Sequence, residues 1–81
     1  MDIPLSQIDD LRTLVAEQGW SLPGTYQYLG HEWFRVDVIR DGAEGYVDVR
    51  AYELDDMATD GRHIVRQRIA AAQCPAAGTH R

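Results

Sequence analysis

The sequence contains no lysine, one cysteine and no long apolar run, and each absence excludes a class of protein. A single cysteine, Cys74, cannot form a disulfide within the chain, which argues against a secreted scaffold stabilised by disulfides. The apolar stretches are shorter than a signal peptide or a membrane-spanning helix requires. We therefore expect a cytoplasmic protein. All eight basic residues are arginine, a bias typical of GC-rich genomes.

Motifs for catalysis and metal binding are also missing. The three histidines are far apart in the sequence and far from Cys74, so their spacing resembles no zinc or iron site. The serines lack the pattern of a nucleophile elbow, and the glycines lack that of a phosphate loop. A paired-carboxylate mechanism needs a deep cleft, which so small a domain seldom builds. We expect no enzymatic activity, no metal and no cofactor.

The chain length of 81 residues predicts one small domain, near the lower limit at which a hydrophobic core alone offsets chain entropy. We expect residues 1–74 to form it and residues 75–81 to form a flexible tail. At this size, association with a partner or with a second copy would add stability.

The net charge of −5 is unevenly distributed. Residues 1–24 carry −3, residues 25–61 carry −6, and residues 62–81 carry +4 with no acidic residue. The middle of the chain is therefore acidic and its C-terminal segment basic. The overall sign favours a protein partner with a basic surface over nucleic acid, because phosphates repel an acidic chain.

Periodicity predicts an α+β fold in the order α-β-β-β-α. Apolar residues recur at helical spacing over about 7–18, between Ser6 as the N-cap and Gly19 as a left-handed C-terminal residue, and again over about 61–73. Residues 54–58 are predicted to add a helical turn. Between the helices, residues 25–29, 32–40 and 46–53 alternate and predict a three-stranded antiparallel sheet. We expect both helices on one face of it.

Turn chemistry suggests a register for each hairpin. A Gly30–His31 turn would place Tyr28 opposite Trp33 and Tyr26 opposite Arg35. The second hairpin has a five-residue loop over 41–45 and two plausible registers. One sets Asp37 opposite Asp48, which like-charge repulsion disfavours, and the other sets Asp37 opposite Arg50. We favour the second register.

This register predicts two different faces. One is apolar and would seat the helices; its residues are Phe34, Val36, Val38, Val47, Val49 and Ala51. The other is rich in tyrosine, tryptophan and arginine, which dominate binding hot spots. Its candidate contact residues are Tyr26, Tyr28, Trp33, Arg35, Asp37, Tyr46, Asp48, Arg50 and Tyr52. Alternatively, the aromatic residues occur here only because aromatic side chains favour β-strands, or the N-terminal segment and Trp20 cover them.

Acidic residues cluster near the second hairpin and after it, and we interpret them as a solvated rim. They are Asp41, Glu44, Asp48, Glu53, Asp55 and Asp56.

The predicted element order resembles that of double-stranded-RNA-binding domains, whose second helix begins with a cluster of basic residues that binds phosphates. The corresponding segment here runs from Gly61 and Arg62 through Arg66 and Arg68. The resemblance implies a nucleic-acid-binding alternative, in which bases stack on the aromatic face and arginines contact the backbone.

The composition is similar to that of another class, the small acidic inhibitors of bacterial defence complexes carried by phages and mobile elements, including anti-CRISPR proteins. No residue motif defines this class. The resemblance implies a protein-binding inhibitor that occludes a basic, nucleic-acid-binding surface, for example on a CRISPR effector subunit. A third possibility is that the aromatic face is a homodimer interface.

Overall fold

Helix α1 (Leu5–Glu17) opens the fold in the computed structural model, which describes residues 2–72. Three strands follow, β1 (Tyr26–Gly30), β2 (Trp33–Arg40) and β3 (Ala43–Arg50), and then helices α2 (Ala51–Asp55) and α3 (Asp60–Ala70). The strands form one antiparallel sheet in the order β1-β2-β3. The predicted α+β class and the three-stranded antiparallel sheet are confirmed.

The hydrophobic core lies between one face of the sheet and the helices. Alternate residues of β2 and β3 point into it, since side chains along a strand alternate between faces. The sheet contributes Phe34, Val36, Val38, Val47 and Val49, α1 contributes Ile8, Leu11, Leu14 and Val15, and α3 contributes Val65 and Ile69. Ile3, Trp20, Leu22, Leu54 and Met57, from the N-terminal segment, the connecting segments and α2, complete it. The other face of the sheet is thereby left without a helical layer.

The β2–β3 hairpin turns in two residues, not five. Asp41 and Gly42 have φ of 53° and 80°, so both central residues lie in the left-handed region that the favoured hairpin turns require. Val38 consequently pairs with Gly45 and Val36 with Val47. The predicted loop and the favoured register were therefore wrong. The observed register differs from the predicted one by an even number of residues, so every side chain keeps its predicted face.

The register of the β1–β2 hairpin differs from the predicted one by one residue, and this places side chains of β1 on the opposite face of the sheet. The turn residues are His31 and Glu32, with φ of 53° and 66°, and the register shifts between Tyr28 and Gly30. Tyr28 therefore lies opposite Phe34, not opposite Trp33, and Tyr26 lies opposite Val36, not opposite Arg35. Both tyrosines share the face that the helices cover, which corrects the predicted assignment.

Several element boundaries also differ. Helix α1 begins at Leu5 after Pro4, so Ser6 lies inside its first turn and caps nothing. Strand β3 ends at Arg50, and Ala51 and Tyr52, predicted in the strand, begin α2. Helix α2 takes the place of the turn predicted over 54–58. Gly19 has φ of 84° directly after the α1 C-cap, as predicted. The predicted tail, residues 75–81, lies outside the described residues.

Within residues 2–72, no helix is long and apolar enough to cross a membrane.

Gly61, in the first turn of α3, allows α2 and α3 to pack closely. A Cβ built at this position would collide with the carbonyl oxygen of Glu53 and lie 2.9 Å from atoms of Asp56. The backbones of the two helices approach closely at this point, and only glycine fits without displacement.

Gly61→Ala should therefore destabilise the protein, although the same change in an open helix stabilises by about 1 kcal/mol. We expect the free energy of unfolding to fall by about 1 to 3 kcal/mol because the backbone must move. Chemical denaturation monitored by circular dichroism measures it. The control is Ala70→Gly, an exposed site in α3, where propensity alone costs about 1 kcal/mol. A stabilised Gly61→Ala variant would contradict this packing.

Candidate functional site

The face of the sheet opposite the core carries three cross-strand pairs of β2 and β3 whose side chains are all polar or aromatic, beside Gln27 of β1 and the Ile39–Glu44 pair. Trp33 pairs with Arg50, Arg35 with Asp48, and Asp37 with Tyr46. We call Trp33, Arg35, Asp37, Tyr46, Asp48 and Arg50 the outer face. Asp37 and Tyr46 are exposed, and the other four are half-buried by their neighbours on the same face.

Trp33 lies among guanidinium groups at one end of the outer face. The guanidinium carbon of Arg68, on α3, is 4.8 Å from the centre of its ring, and that of Arg50 is 5.3 Å away. Arg50 also lies 5.0 Å from the ring of Tyr52. These distances are within the range of cation–π attraction, so the rings and guanidinium groups hold one another in place.

Arg35 and Tyr46 form a similar pair nearer the middle of the outer face. The guanidinium of Arg35 is 4.2 Å from the Tyr46 ring centre. It also donates two hydrogen bonds to Asp48, from Nε to Oδ1 at 2.9 Å and from Nη2 to Oδ2 at 3.1 Å. The hydrogen bond with Asp48 raises the pKa of Arg35 above its ordinary value.

Glu53 is the buried anion that organises the Trp33 end of the outer face. Its side chain is 1% exposed. Oε1 accepts the backbone N–H of Arg50 at 2.9 Å, and Oε2 accepts Nη2 of Arg68 at 2.7 Å. The interpretation of Glu53 as part of a solvated rim was therefore wrong. The carboxylate caps the first turn of α2 and also fixes Arg68 above Trp33.

Tyr26 and Tyr28, two of the nine predicted contact residues, do not belong to the outer face. Their rings contact Phe34 on the core side, at centroid distances of 5.7 and 5.3 Å. The Tyr26 hydroxyl accepts the N–H of Ile3, and the Tyr28 hydroxyl accepts the N–H of Glu32. They close the side of the core near β1. Tyr52 lies on α2, not on a strand, but its contact with Arg50 keeps it beside the outer face.

Sequence reasoning missed two residues that shape the site, Glu53 and Arg68. Glu53 lies three residues after Arg50, the spacing of the acidic residue in a capping box, but Arg50 is not a serine or threonine, so the sequence signature of that motif is incomplete. Arg68 was considered only as a phosphate contact. Its position over Trp33 depends on how α3 packs against the sheet, for which the sequence carries no local signal.

The seven arginines in the described part of the chain all have partners within the protein. Among residues 2–72, four of them pair with acids: Arg12 with Asp9, Arg35 with Asp48, Arg66 with Glu17 and Arg68 with Glu53. Arg40 and Arg62 donate to backbone carbonyls, and Arg50 lies between two rings. Several exposed acids in the same range take part in no ion pair, namely Asp2, Asp10, Glu32, Asp41, Glu44, Asp56 and Asp60. The accessible charge is therefore mainly negative.

Comparisons with known proteins found no matching family model, no similar curated protein and no matching solved structure. Within residues 2–72, no three His, Cys, Asp or Glu side chains lie close enough together to hold a metal ion. The interpretation of the outer face therefore rests on its own geometry.

Replacing Glu53 tests its organising role. Glu53→Ala leaves the backbone N–H of Arg50 and the guanidinium of Arg68 without their acceptor. We expect the free energy of unfolding to fall by about 2 to 3 kcal/mol, less than for a fully buried pair because water can reach Arg68. Chemical denaturation measures the change. Asp55→Ala, on the exposed side of α2, should cost within about 1 kcal/mol. Equal effects of the two changes would refute the organising role.

Proposed function

We propose that this protein is a non-enzymatic protein-binding module and that the outer face is its contact surface. One observation carries the proposal. Trp33 lies within cation–π distance of two guanidinium groups, those of Arg50 and Arg68, on the face of the sheet opposite the core. Tryptophan and arginine are enriched among residues that dominate binding energy, and a side chain already fixed in position loses little entropy on binding.

Charge supports a protein partner over nucleic acid. Within residues 2–72, the arginines that could contact phosphates are engaged by acids, carbonyls or rings of the same chain. Releasing a guanidinium from a carboxylate would cost part of the energy gained from a phosphate. On the outer face, Asp48 neutralises Arg35 and the buried Glu53 neutralises Arg68. The centre of the surface is therefore nearly neutral and suits apolar and hydrogen-bonded contact.

Unpaired carboxylates lie at both ends of the strands that form the outer face. Glu32 is in the β1–β2 turn, Asp41 is in the β2–β3 turn, and Glu44 follows that turn. Acidic residues around a neutral centre attract a partner with a basic rim and speed the encounter. Nucleic-acid-binding subunits of bacterial defence complexes, such as CRISPR effectors, present such surfaces. The protein would then act as an inhibitor that occludes them, and these subunits are the first partners to test.

Trp33→Ala tests the contact surface. We expect immobilised protein to capture a partner from nuclease-treated bacterial lysate. With the purified partner, Trp33→Ala should weaken binding by about 2 kcal/mol, or about thirtyfold in Kd, because a hot-spot ring is lost. Leu5→Ala is the matched control, since it removes an apolar side chain that is 79% exposed on α1. It should bind like the wild type. Titration calorimetry measures both.

Two outcomes would contradict the proposal. If Trp33→Ala unfolds the protein, Tyr46→Ala takes its place, because Tyr46 is exposed on the same face. A folded variant of either kind that binds the partner with unchanged affinity removes the outer face from the interaction. In mobility-shift titrations, submicromolar binding of oligonucleotides that weakens steeply with salt would instead support the nucleic-acid alternative.

A further inference from the structure

Strand β3 forms an edge of the sheet, and part of its backbone has no partner. The N–H of Ala51 bonds to the carbonyl of Glu32 at 2.8 Å, which fixes the odd-numbered residues of β3 as those that bond to β2. The N–H and C=O groups of Glu44, Tyr46 and Asp48 therefore point away from the sheet. Within residues 2–72, no loop, helix or side chain hydrogen-bonds to them.

A groove runs along this free edge. It has a volume of about 280 Å³ and lies between the strand and the C-terminal end of α3. Its walls are Tyr46, Val47, Asp48, Arg68, Ala71 and Ala72. The two alanines are small, so a further strand could approach the edge from this side. The opposite edge, β1, is shorter and has an irregular register, which makes it the poorer template.

The side chains of β3 select a second copy of the same strand as the occupant. Two copies that pair antiparallel around a two-fold axis must place even-numbered residues opposite one another, because Glu44, Tyr46 and Asp48 carry the free backbone groups, while the N–H of Arg50 is already bonded to Glu53. Centring the axis on Tyr46 would oppose Glu44 and Asp48, which repel. Centring it on Val47 opposes Glu44 and Arg50 twice, once on each side of the axis, and opposes Tyr46 and Asp48.

The two residues that this register brings together lack ionic partners in the single chain. Among residues 2–72, Glu44 makes no ion pair, and the Arg50 guanidinium donates no hydrogen bond. They lie three residues on either side of Val47 and carry opposite charges. Val47, which lines the groove, would meet its symmetry mate on the core side.

We propose that β3 is a self-association edge at which two copies pair antiparallel about Val47, giving a continuous six-stranded sheet. The inference goes beyond the proposed function, since the pairing is made by the free backbone edge of β3, although Tyr46, Asp48 and Arg50 also belong to the outer face. The outer faces of the two copies then lie side by side on one surface, so a dimer presents two contact surfaces. A domain of this size also gains stability from the pairing.

Sedimentation equilibrium of the purified full chain, from micromolar to millimolar concentration, tests the proposal without any partner. We expect a reversible monomer–dimer equilibrium. Glu44→Arg places like charges opposite each other at two symmetric positions, so the dimer dissociation constant should rise by about tenfold or more. Asp41→Arg makes the same change of charge in the turn, outside the paired segment, and should have little effect.

Mixing two variants whose self-association is weakened gives the most specific test of the register. In Glu44→Arg the opposed pairs are both basic, and in Arg50→Glu they are both acidic. One copy of each restores both opposite-charge pairs, so the mixture should form a heterodimer more tightly than either variant alone. Circular dichroism confirms that both variants are folded. Hydrogen exchange provides a backbone readout, since the Tyr46 and Asp48 amides should become protected as the dimer forms.

A protein that stays monomeric at every concentration would overturn the proposal. So would a dimer that Glu44→Arg leaves unchanged, or one that Trp33→Ala abolishes while the edge variants do not, because the contact would then be the outer face. A mixture no tighter than its components would exclude the register centred on Val47. The edge variants test the dimer without any partner, and partner capture is measured separately, so failure of the edge pairing leaves the proposed function untouched.

Discussion

The buried carboxylate of Glu53 is the interaction on which the local architecture depends. The carboxylate accepts hydrogen bonds from the backbone N–H of Arg50, at the end of β3, and from the guanidinium of Arg68, on α3. The backbone carbonyl of Glu53 lies against Gly61. A carboxylate that is 1% exposed is stable only with such donors around it. The Glu53 side chain thus links α2 to the end of β3 and to α3, and it fixes the guanidinium of Arg68 beside Trp33.

The spacing of hydrophobic residues along the sequence is enough to predict much of the fold. The alternation of Phe34, Val36 and Val38 places them on the core side whatever the pairing of β2 and β3, provided that the register changes by an even number. This is why Trp33, Arg35 and Arg50 were assigned to the correct face despite a wrong register. The Asp41–Gly42 dipeptide is the strongest hairpin signal in the chain, and it predicts the observed two-residue turn. The prediction of a five-residue loop over 41–45 did not take this dipeptide into account.

Other features had no readable signal. His31 and Glu32 form the first turn with positive φ at both positions, a conformation that is uncommon for Glu, and the irregularity between Tyr28 and Gly30 moves Tyr26 and Tyr28 to the core side. Glu53 looked like one acid among several, because burial is decided by the packing of α2 against α3 and not by neighbours in sequence. The site therefore depends on tertiary contacts that hydrophobic periodicity and secondary-structure propensity do not predict.

The central claim is that Arg50 and Arg68 are already fixed around Trp33 in the free protein, and nuclear magnetic resonance of the side chains tests it most directly. Protons beside a guanidinium held over an indole ring are shifted upfield by the ring current and show cross-relaxation to ring protons. The account predicts both signals for Arg68 and Arg50 in the isolated protein, and their loss for Arg68 in Glu53→Gln. Side-chain shifts equal to those of the unfolded chain, with no cross-relaxation to Trp33, would contradict it.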